Sequence, residues 1–388
     1  MNLVIIPFHD WRKSESEGFR TRDVHFIKSL SNNPEIDKIL VVNRPSTWLE
    51  FLYKKQSKNL TGEIVLKEHK FSLTKVSANI YVTDYYSKDV IGQFIKRHLW
   101  FIEKYDDSSY LNFINKAFDI LNIENHYLIN QNIFSYKLAN KLKSKRKLFD
   151  AWDNFLKFPA YQKIKQLLED GYRSLAENMS IWTTNSQENI NFYKSKFNIS
   201  NIDLIKNGVK TNFIANTNQV PEDLKDLKKP IIGFGGKVSY LLNYNLINFI
   251  TNDNPSASFV FVGQILNKDI FNKINKRDNV YFLGDKHYND YPNYVQNFDI
   301  CIVPYNINEG QHGGDSMKAY EYLLTNKKVV GTKGNGLLDL EKHIYLVDNK
   351  KEFSIELKNI VNQKPPMNIK DHSWETKTNS LIQIIKKS

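Results

Sequence analysis

The chain has very little of several features that define common protein classes. Its 388 residues include one cysteine, so an internal disulfide and a zinc cluster built from cysteines are both excluded. Cys301 lies inside an apolar run, where a buried and inert thiol is expected, and this favours a reducing compartment. No stretch approaches the roughly 20 apolar residues that span a bilayer. Residues 1–13 lack the basic and then apolar order of a signal peptide, so a cytoplasmic location is predicted.

Several catalytic motifs are also absent. None of the nine histidines has the spacing of a zinc hydrolase. No two aspartates are separated by a single residue, so an Asp-x-Asp site for a metal-bound nucleotide sugar is missing. The sequence contains no P-loop and no Gly-x-Ser-x-Gly elbow, and a Gly-x-Gly-x-x-Gly pattern that begins at Gly233 fails at Val238. These absences argue against metal hydrolases, dinucleotide oxidoreductases, P-loop NTPases and α/β-hydrolases, and neither a metal nor a cofactor is expected.

What the chain does have is a large apolar fraction and an excess of positive charge. Apolar residues make up 41% and aromatic residues 13%, which excludes a disordered chain. The 54 lysines and arginines exceed the 42 acidic residues, so the formal charge is +12 and the surface should attract anions. Basic residues cluster at 137–147 and at 96–98. Each cluster is interpreted either as a solvated helix end or as a patch that docks on anionic lipid.

Short apolar runs alternate with amphipathic stretches, which is the pattern of parallel strands covered by helices. In the first half the predicted strands are 3–7, 38–43, 79–82, 126–130, 147–149, 180–184 and 203–206. In the second half they are 231–234, 258–263, 280–284, 300–304, 328–332 and 344–347. The polar segment 207–229 is interpreted as an interdomain connection. The sequence therefore predicts an α/β fold with two Rossmann-like, doubly wound domains.

The strongest functional signal lies between the strand that ends at Pro304 and the helix that follows it. The loop between them is rich in glycine, and Asp315 or Ser316 is a suitable cap for the helix. Glycines ahead of a helix expose backbone amides, and the helix start carries partial positive charge. Gly313, Gly314, Asp315 and Ser316 are therefore expected to form an anion site that suits a diphosphate.

Two charged residues follow on the same helix. Lys318 and Glu321 are three residues apart and share one helical face that runs back toward the glycine loop. A carboxylate there can accept both hydroxyls of a ribose, and an ammonium can neutralise phosphate. The alternative is an ordinary ion pair on the surface of an amphipathic helix.

Further candidates come from the ends of neighbouring strands, because ligands collect at the carboxyl ends of strands in open α/β sheets. Lys237 follows Gly236 at the end of one strand, so it either converges on the same phosphate or is a solvated loop residue. Gly263 and Gly284 end two more strands. They either leave room for a flat base or are plain turn residues.

The order of these elements resembles the nucleotide-sugar domain of the family 4 type retaining glycosyltransferases, which have the GT-B architecture. The matching segments are Gly236-Lys237, Val262-Gly263, Phe282-Leu283-Gly284, Tyr291-Pro292-Asn293-Tyr294, Asp299 to Tyr305, Asp315 to Leu323 and Val329 to Thr332. The likeness extends to the Asn-Gly-Val turn at 207–209 and to Ser373-Trp374-Glu375, and it covers residues 180–385. Each segment alone is weak evidence for the family, whereas the order of the segments along the chain is specific to it.

This resemblance implies a domain plan and a reaction. Residues 1–208 are expected to form the acceptor-side domain, 209–372 the nucleotide-sugar domain, and 373–388 a helix that packs back toward the first domain. The two large domains would face each other across a cleft. The implied reaction moves a sugar from a nucleotide-diphosphate sugar to a hydroxyl of a glycan, lipid-linked or cell-envelope polymer acceptor. Retention of configuration and independence of metal are also implied.

The resemblance assigns roles and also shows departures. Lys237 and Lys318 would stabilise the leaving diphosphate, and Glu321 would hold the ribose. Gly313 stands where many relatives have a first glutamate, so that contact would fall to backbone amides. Two alternatives stay open: an epimerase or hydrolase that uses the same donor, and a non-catalytic basic protein that binds a polymer or nucleic acid. No recognisable nucleic-acid module is present, so nucleic acid is not the expected partner.

The first domain offers fewer signals. Asp153 follows a predicted strand in the segment Asp150-Ala-Trp152-Asp153, and it is the candidate that orients acceptor hydroxyls or acts as a weak base. The alternative is that one of these aspartates caps a helix.

Basic groups elsewhere in the first half are also candidates. Arg20 and Arg22 either face the cleft or lie on the surface. His9 and His126 either touch the donor sugar or have a structural role. The basic first half makes an acceptor at the inner face of a membrane a plausible partner.

Overall fold

The computed structural model describes residues 1–54, 56–214, 219–307, 314–334, 336–359 and 364–387. The described residues form two compact units, one from Met1–Ile205 with Thr378–Ser388 and the other from Lys206–Lys377. Each unit is built around its own sheet. The final helix therefore begins in the second unit and continues in the first.

The first unit contains a sheet of ten strands among its described residues. In chain order they are β1 (Asn2–Ile6), β2 (Lys38–Val42), β3 (Ser46–Thr47), β4 (Glu63–Glu68), β5 (Phe71–Lys75), β6 (Ile80–Ser87), β7 (Tyr127–Asn130), β8 (Arg146–Asp150), β9 (Ile181–Thr184) and β10 (Ile202–Leu204). Their order in the sheet is β10-β9-β8-β7-β1-β2-β6-β5-β4, with β3 paired to β6. All pairs are parallel except those that β5 makes with β4 and β6.

Nine α-helices connect the described strands of this unit. They are α1 (Trp11–Ser16), α2 (Arg22–Ser31), α3 (Trp48–Lys54), α4 (Val90–Lys96), α5 (His98–Tyr105), α6 (Ser108–Leu121), α7 (Tyr136–Lys141), α8 (Lys165–Asn178) and α9 (Gln187–Phe197). Short 3₁₀ turns occupy Ile133–Ser135, Phe155–Lys157 and Pro159–Ile164. No helix among the described residues is both long enough and apolar enough to cross a membrane.

Helix α6 shows how local sequence sets these elements. The Asp107 carboxylate accepts a hydrogen bond from the Ser109 amide at 2.9 Å, which satisfies one amide at the helix start. Asn122 ends the helix in the left-handed conformation, with φ of 50°. The residues that face the core recur every three or four positions, and they are Tyr110, Phe113, Ile114, Ala117 and Leu121.

The strand order reverses at β1. The chain passes from β1 through β2 to β6 on one side, and then returns to place β7, β8, β9 and β10 on the other side. Connections therefore leave β1 and β7 in opposite directions, which opens a crevice at the carboxyl ends of these two strands. Residues that follow β1 and β7 are positioned to line that crevice.

The hairpin of β4 and β5 is an element that sequence reasoning missed. Its outer strand β4 is largely exposed, and its apolar run is short, from Ile64 to Leu66 between charged residues. The turn between the strands contains His69, which has φ of 48°. A search for fully buried parallel strands does not detect this pattern.

The second unit contains a sheet of six described strands, all parallel. They are β11 (Ile231–Gly235), β12 (Ser258–Val262), β13 (Val280–Phe282), β14 (Ile300–Val303), β15 (Lys328–Thr332) and β16 (Tyr345–Val347), in the order β13-β12-β11-β14-β15-β16. Its helices are α10 (Tyr244–Asp253), α11 (Lys268–Lys273), α12 (Tyr291–Asn297), α13 (Met317–Leu324) and α14 (Lys350–Lys358), and α15 (Trp374–Lys386) begins in this unit. Each of the six strands predicted for this half is confirmed. The α/β class with two sheets is confirmed as well.

A buried ion pair joins α2 to β8 in the first unit. Arg22 donates from Nη2 to Asp150 Oδ1 at 3.0 Å, and both side chains are almost fully buried. Thr183 Oγ1 and Gln131 Nε2 donate to the same carboxylate at 2.9 and 3.0 Å. The prediction that Arg22 faces a cleft or lies on the surface is therefore wrong, because its guanidinium is enclosed with Asp150.

Removal of this carboxylate tests its structural role. Asp150→Ala is expected to lower the free energy of unfolding by about 3 to 5 kcal/mol, because the Arg22 guanidinium is left buried without compensation. Urea titration followed by circular dichroism measures the change. As the control, Glu188→Ala removes an exposed partner of Lys157 and should leave the midpoint nearly unchanged. Equal midpoints for Asp150→Ala and the wild type would contradict this role.

Candidate functional site

Three glycines lie side by side at the carboxyl edge of the second sheet. Gly236, Gly263 and Gly284 follow β11, β12 and β13, which are neighbours in the sheet. The Gly236 amide donates to Val262 O at 2.8 Å, and the Gly263 amide donates to Gly284 O at 2.8 Å. Backbone hydrogen bonds therefore hold these three strand ends together, and no side chain extends from them over the edge.

Two of these positions require glycine. Gly236 and Gly263 both have φ of 148°, which residues with a Cβ rarely adopt. A Cβ on Gly263 would lie 2.1 Å from Gly236 O, and a Cβ on Gly236 would lie 2.8 Å from Lys318 Cε. The close approach of the strands and of Lys318 thus depends on the missing side chains. Gly284 has open space where a Cβ would stand, so no close contact requires that glycine, and whether it leaves room for a base stays a prediction.

Helix α13 brings Lys318 to this edge. The half-buried ammonium donates to the Tyr305 hydroxyl and lies 4.8 Å from the centre of that ring. It is also 5.4 Å from the centre of the Phe234 ring, so two aromatic faces and a hydroxyl fix its position. Lys237, which follows Gly236 directly, is exposed at the same edge. Two lysines therefore belong to one glycine-lined edge.

Glu321 lies one turn after Lys318 and is only 5% exposed. The Tyr288 hydroxyl donates to its Oε1 at 2.6 Å. Among the described residues no donor contacts Oε2, so this oxygen can accept from a ligand. Burial raises the pKa of Glu321 above its ordinary value, although Tyr288 and the charges of Lys318 and Lys210 act in the opposite direction. The alternative of an ordinary surface ion pair is therefore wrong, because the carboxylate is enclosed.

The helix start differs from the expectation at Asp315. Its carboxylate accepts from the Asn207 amide at 2.6 Å and from the Tyr320 hydroxyl at 3.0 Å, so it is engaged within the protein. Ser316 is the N-cap, but its side chain caps no amide, and its buried Oγ has no hydrogen-bond partner among the described residues. Gly314 is half-buried, whereas Gly310 and Gly313 lie outside the described residues. The diphosphate contacts of this loop stay a prediction.

In the first unit, Asp153 is 8% exposed and lies beyond the end of β8. Its backbone carbonyl accepts from the Tyr193 hydroxyl at 3.1 Å. Burial, and to a lesser extent the negative charge of Asp153, raise the pKa of Tyr161 to about 12. Neither Asp153 nor Asp150 caps a helix, because Asn154 caps the turn that follows. Whether Asp153 orients an acceptor stays a prediction.

The two histidines have different environments. His126 precedes β7, so it lies at the amino edge of the sheet, where its ring packs against that of Phe118 and hydrogen-bonds to Ser144 at 3.0 Å. Burial lowers the pKa of His126 to about 4, and its role is structural. His9 follows β1 at the carboxyl edge, and its Nδ1 lies 3.0 Å from Asp23. Contact of His9 with a sugar stays a prediction.

Two tyrosines of the candidate site were not found from the sequence. Tyr305 binds Lys318 and Tyr288 binds Glu321. Tyr288 precedes Glu321 by 33 residues, and no spacing rule connects them. The available signal for Tyr305 is its place directly after Pro304, at the carboxyl end of a strand. No group of three or more acidic, histidine or cysteine side chains suited to a metal occurs in the described part of the chain.

These two units, each with parallel strands covered by helices, have the GT-B fold. Sucrose-phosphate synthase from Thermosynechococcus elongatus has a TM-score of 0.71 and 11% identity, over 99% of this chain and 98% of that one. HepE from Anabaena, in complex with UDP and glucose, has a TM-score of 0.66 and 12% identity over the full length of both. Trehalose-6-phosphate synthase OtsA has a TM-score of 0.64 and 9% identity, over 99% and 95%. At these low sequence identities, the similarity to the three structures concerns the fold alone.

One curated relative is similar in sequence. A protein of Bacillus subtilis (strain 168), described as the teichuronic acid biosynthesis glycosyltransferase TuaH, is 27% identical over 132 residues. The chain spans about a third of the length of this relative, and the match covers 33% of the chain itself. No protein-family model matches the chain.

The buried carboxylate makes stability depend on pH in a defined direction. A raised pKa in the folded state means that folding favours the protonated form, so the contribution of Glu321 to stability is most favourable below the ordinary value of 4.5 and is lost as pH rises through the raised pKa. Glu321→Gln removes this titration. The ligand-free variant should therefore be more stable than the wild type at pH 7, and the difference should shrink as pH falls.

Thermal unfolding of both proteins across this range measures the difference, because the other titrating groups are common to both. A difference that grows toward low pH would show that Glu321 is stabilised as the anion, contrary to its enclosed position.

Proposed function

We propose that this chain is a glycosyltransferase that moves a sugar from a nucleotide-diphosphate donor to a hydroxyl acceptor. The observation that carries the proposal is the edge of the second sheet, where glycine-ended strands meet an ammonium and a buried carboxylate on α13. The GT-B fold supports it, since HepE has this fold and was solved in complex with UDP and glucose. A UDP-sugar is therefore the first donor to test.

The proposed roles follow from the chemistry of each group. Glu321 Oε2 accepts from ribose hydroxyls, and Lys318 and Lys237 neutralise the diphosphate. The bond from the anomeric carbon to the β-phosphate oxygen breaks, and negative charge develops on that oxygen, where preorganised cations stabilise it. Ser316 Oγ, which has no protein partner among the described residues, is a further donor for phosphate. Asp315 contributes through its backbone, since its carboxylate holds Asn207.

The acceptor hydroxyl forms the new bond to the anomeric carbon, and its proton passes to the departing phosphate or to a base. Asp153 is the proposed group that orients this hydroxyl. Retention of configuration and independence of metal belong to the proposal through the family resemblance. The acceptor is proposed to be a glycan, a lipid-linked sugar or an envelope polymer, and the name of the Bacillus relative supports the last of these.

The donor site can be tested by binding. A thermal-shift series with UDP-, GDP-, dTDP- and ADP-sugars should show stabilisation by UDP-sugars, because a ligand of the native state stabilises it by mass action. Glu321→Ala should weaken nucleotide binding in a direct titration. Lys225→Ala, at an exposed lysine paired with Glu222, is the matched control and should bind as the wild type does. Equal affinities for Glu321→Ala and the control would remove Glu321 from the site.

A measurement of turnover tests the proposed role of Lys237. Lys237→Ala should lower kcat by about ten- to a thousandfold, the scale of a lost transition-state donor, with a smaller change in KM. Donor consumption without acceptor would instead support the epimerase or hydrolase alternative. Salt-dependent DNA binding without nucleotide binding would support the non-catalytic one.

A surface of the first unit supports attachment to an anionic membrane. We define the α3/α4 patch as seven large apolar residues, each between 43% and 88% exposed: Trp48, Leu49, Leu52, Tyr53, Ile91, Phe94 and Ile95. Helices α3 and α4 lie together because β3 pairs with β6 and Gln93 donates to Glu50 at 3.3 Å. Exposed basic residues lie on these helices or next to them in the sequence, namely Lys54, Lys58, Lys88, Lys96 and Arg97, of which Lys54 pairs with Glu50 and Lys96 with Glu103. Exposed apolar side chains with basic ones nearby fit the boundary of an anionic bilayer.

Vesicle sedimentation tests this surface. The wild type should bind vesicles that contain phosphatidylglycerol, more weakly at high salt, and Leu52→Ser with Phe94→Ser should abolish binding. Ile355→Ser changes a residue of similar exposure on α14 and is the matched control. Binding that the double variant retains would remove the patch from the proposal. If the wild type is a dimer without lipid and the double variant is a monomer, the patch would instead be assigned to contact with a second copy of the chain.

A further inference from the structure

The first unit has a cavity of its own at the crevice where its strand order reverses. The volume of this crevice cavity is about 210 Å³. Its wall includes His9, which follows β1, Arg44, which follows β2, and Asn132, which follows β7. These are the carboxyl ends of three adjacent parallel strands, and ligands of open α/β sheets bind at this place.

The walls of the crevice cavity are mainly aromatic. Phe8, Phe101, Tyr105, Phe134 and Tyr161 line it. Phe134 lies 6.2 Å from Phe8 and 5.7 Å from Tyr161 between ring centres, so these rings form one surface. The volume is below the ~300 to 1,000 Å³ of pockets for drug-sized ligands, and it suits one small ring. Apolar ring faces of this kind fit the carbon-bound hydrogens of a sugar.

The charges at the cavity favour an anion. Three cations, Lys13, Arg44 and Lys54, line it, against one carboxylate, Asp10. The Asp10 carboxylate accepts from the Lys13 amide and from Asn43 Nδ2, each at 3.1 Å, so it is engaged within the protein.

The three cations are not equally paired. Arg44 and Lys54 both pair with a single carboxylate, that of Glu50, and Arg44 also experiences the negative charge of Asp10. The carboxylate nearest to Lys13 is Glu17, at 4.0 Å. Lys13 is therefore the cation with the weakest internal pairing, and its side chain is 33% exposed. A ligand anion would complete the pairing of Lys13.

We propose that the crevice cavity binds a sugar residue that carries a carboxylate or a phosphate group. The aromatic walls hold the ring, and Lys13 with the Arg44 and Lys54 pair holds the anion. The assignment of this cavity as the acceptor site rests on the proposed function. It narrows the proposed acceptor to an acidic glycan or a sugar phosphate.

Titration of the full chain by calorimetry tests the site with four probes: glucuronate, glucose 6-phosphate, glucose and inorganic phosphate. Glucuronate or glucose 6-phosphate should bind at least about tenfold more tightly than glucose, the scale of one charge-assisted hydrogen bond. The comparison of these two probes decides which anion is preferred. Phosphate alone should bind more weakly than glucose 6-phosphate, because it lacks the ring. Equal binding of phosphate and glucose 6-phosphate would overturn the assignment of a sugar.

Lys13→Gln is the decisive variant, because Lys13 is half-exposed and its loss leaves no buried charge. It should reduce binding of the anionic sugar about tenfold and leave glucose binding unchanged. Lys116→Gln, at a lysine of α6 paired with Glu68, is the control and should change neither. If the preference for the anionic sugar survives Lys13→Gln, the proposal is wrong.

The same samples separate this inference from the proposed function. UDP binding depends on groups of the second unit, so Lys13→Gln should keep the wild-type affinity for UDP. A wild type that binds UDP but shows no preference for an anionic sugar would overturn only the inference about the crevice cavity. A wild type that binds no nucleotide sugar would overturn the proposed function, and the preference of the cavity would still be measured.

Discussion

The candidate site of the second unit depends on the close approach of backbone segments at one edge of its sheet. Gly236 and Gly263 carry no side chains, so the ends of β11 and β12 approach closely and a Cβ at Gly263 would meet Gly236 O. The stem of Lys318 occupies the space beside Gly236 for the same reason. The close approach of the two strand ends and the position of the ammonium therefore have one cause. A side chain at either glycine would change both.

Two buried carboxylates, Asp150 in the first unit and Glu321 in the second, differ in how far hydrogen bonds and positive charge compensate their burial. Asp150 has a guanidinium and two neutral donors, which together compensate its burial. Glu321 has a single tyrosine donor and more distant lysines, and its pKa is raised. A carboxylate that is enclosed but incompletely paired costs stability in the free protein. Such a cost is expected where a ligand supplies the missing donors, which is why Glu321 indicates binding and Asp150 indicates structure.

The sequence predicts the second sheet well because its strands are buried on both faces and read as continuous apolar runs. The same criterion fails for β4, whose apolar run is short and whose residues are exposed or half-buried. Site residues on one helix, such as Lys318 and Glu321, follow from helical spacing. Asn207, which binds Asp315 from 108 residues away, does not, because such a contact depends on tertiary packing. The crevice cavity was missed for the same reason, since strand order brings its residues together.

Both units place candidate ligands at the carboxyl ends of parallel strands, yet the chemistry at those ends differs. In the second unit the ends are glycines whose amides bond neighbouring strand ends, so no side chain stands over the edge there and the charged groups beside it are Lys237 and Lys318. In the first unit Phe8 and Arg44 follow the ends, so a ligand meets side chains. These residues lie beyond the hydrogen-bonded strands, and substitution there can alter ligand choice while the sheet is preserved. Under the proposed function, selectivity for the acceptor is therefore expected to reside in side chains of the first unit, whereas binding of the diphosphate in the second unit would fall to Lys237 and Lys318.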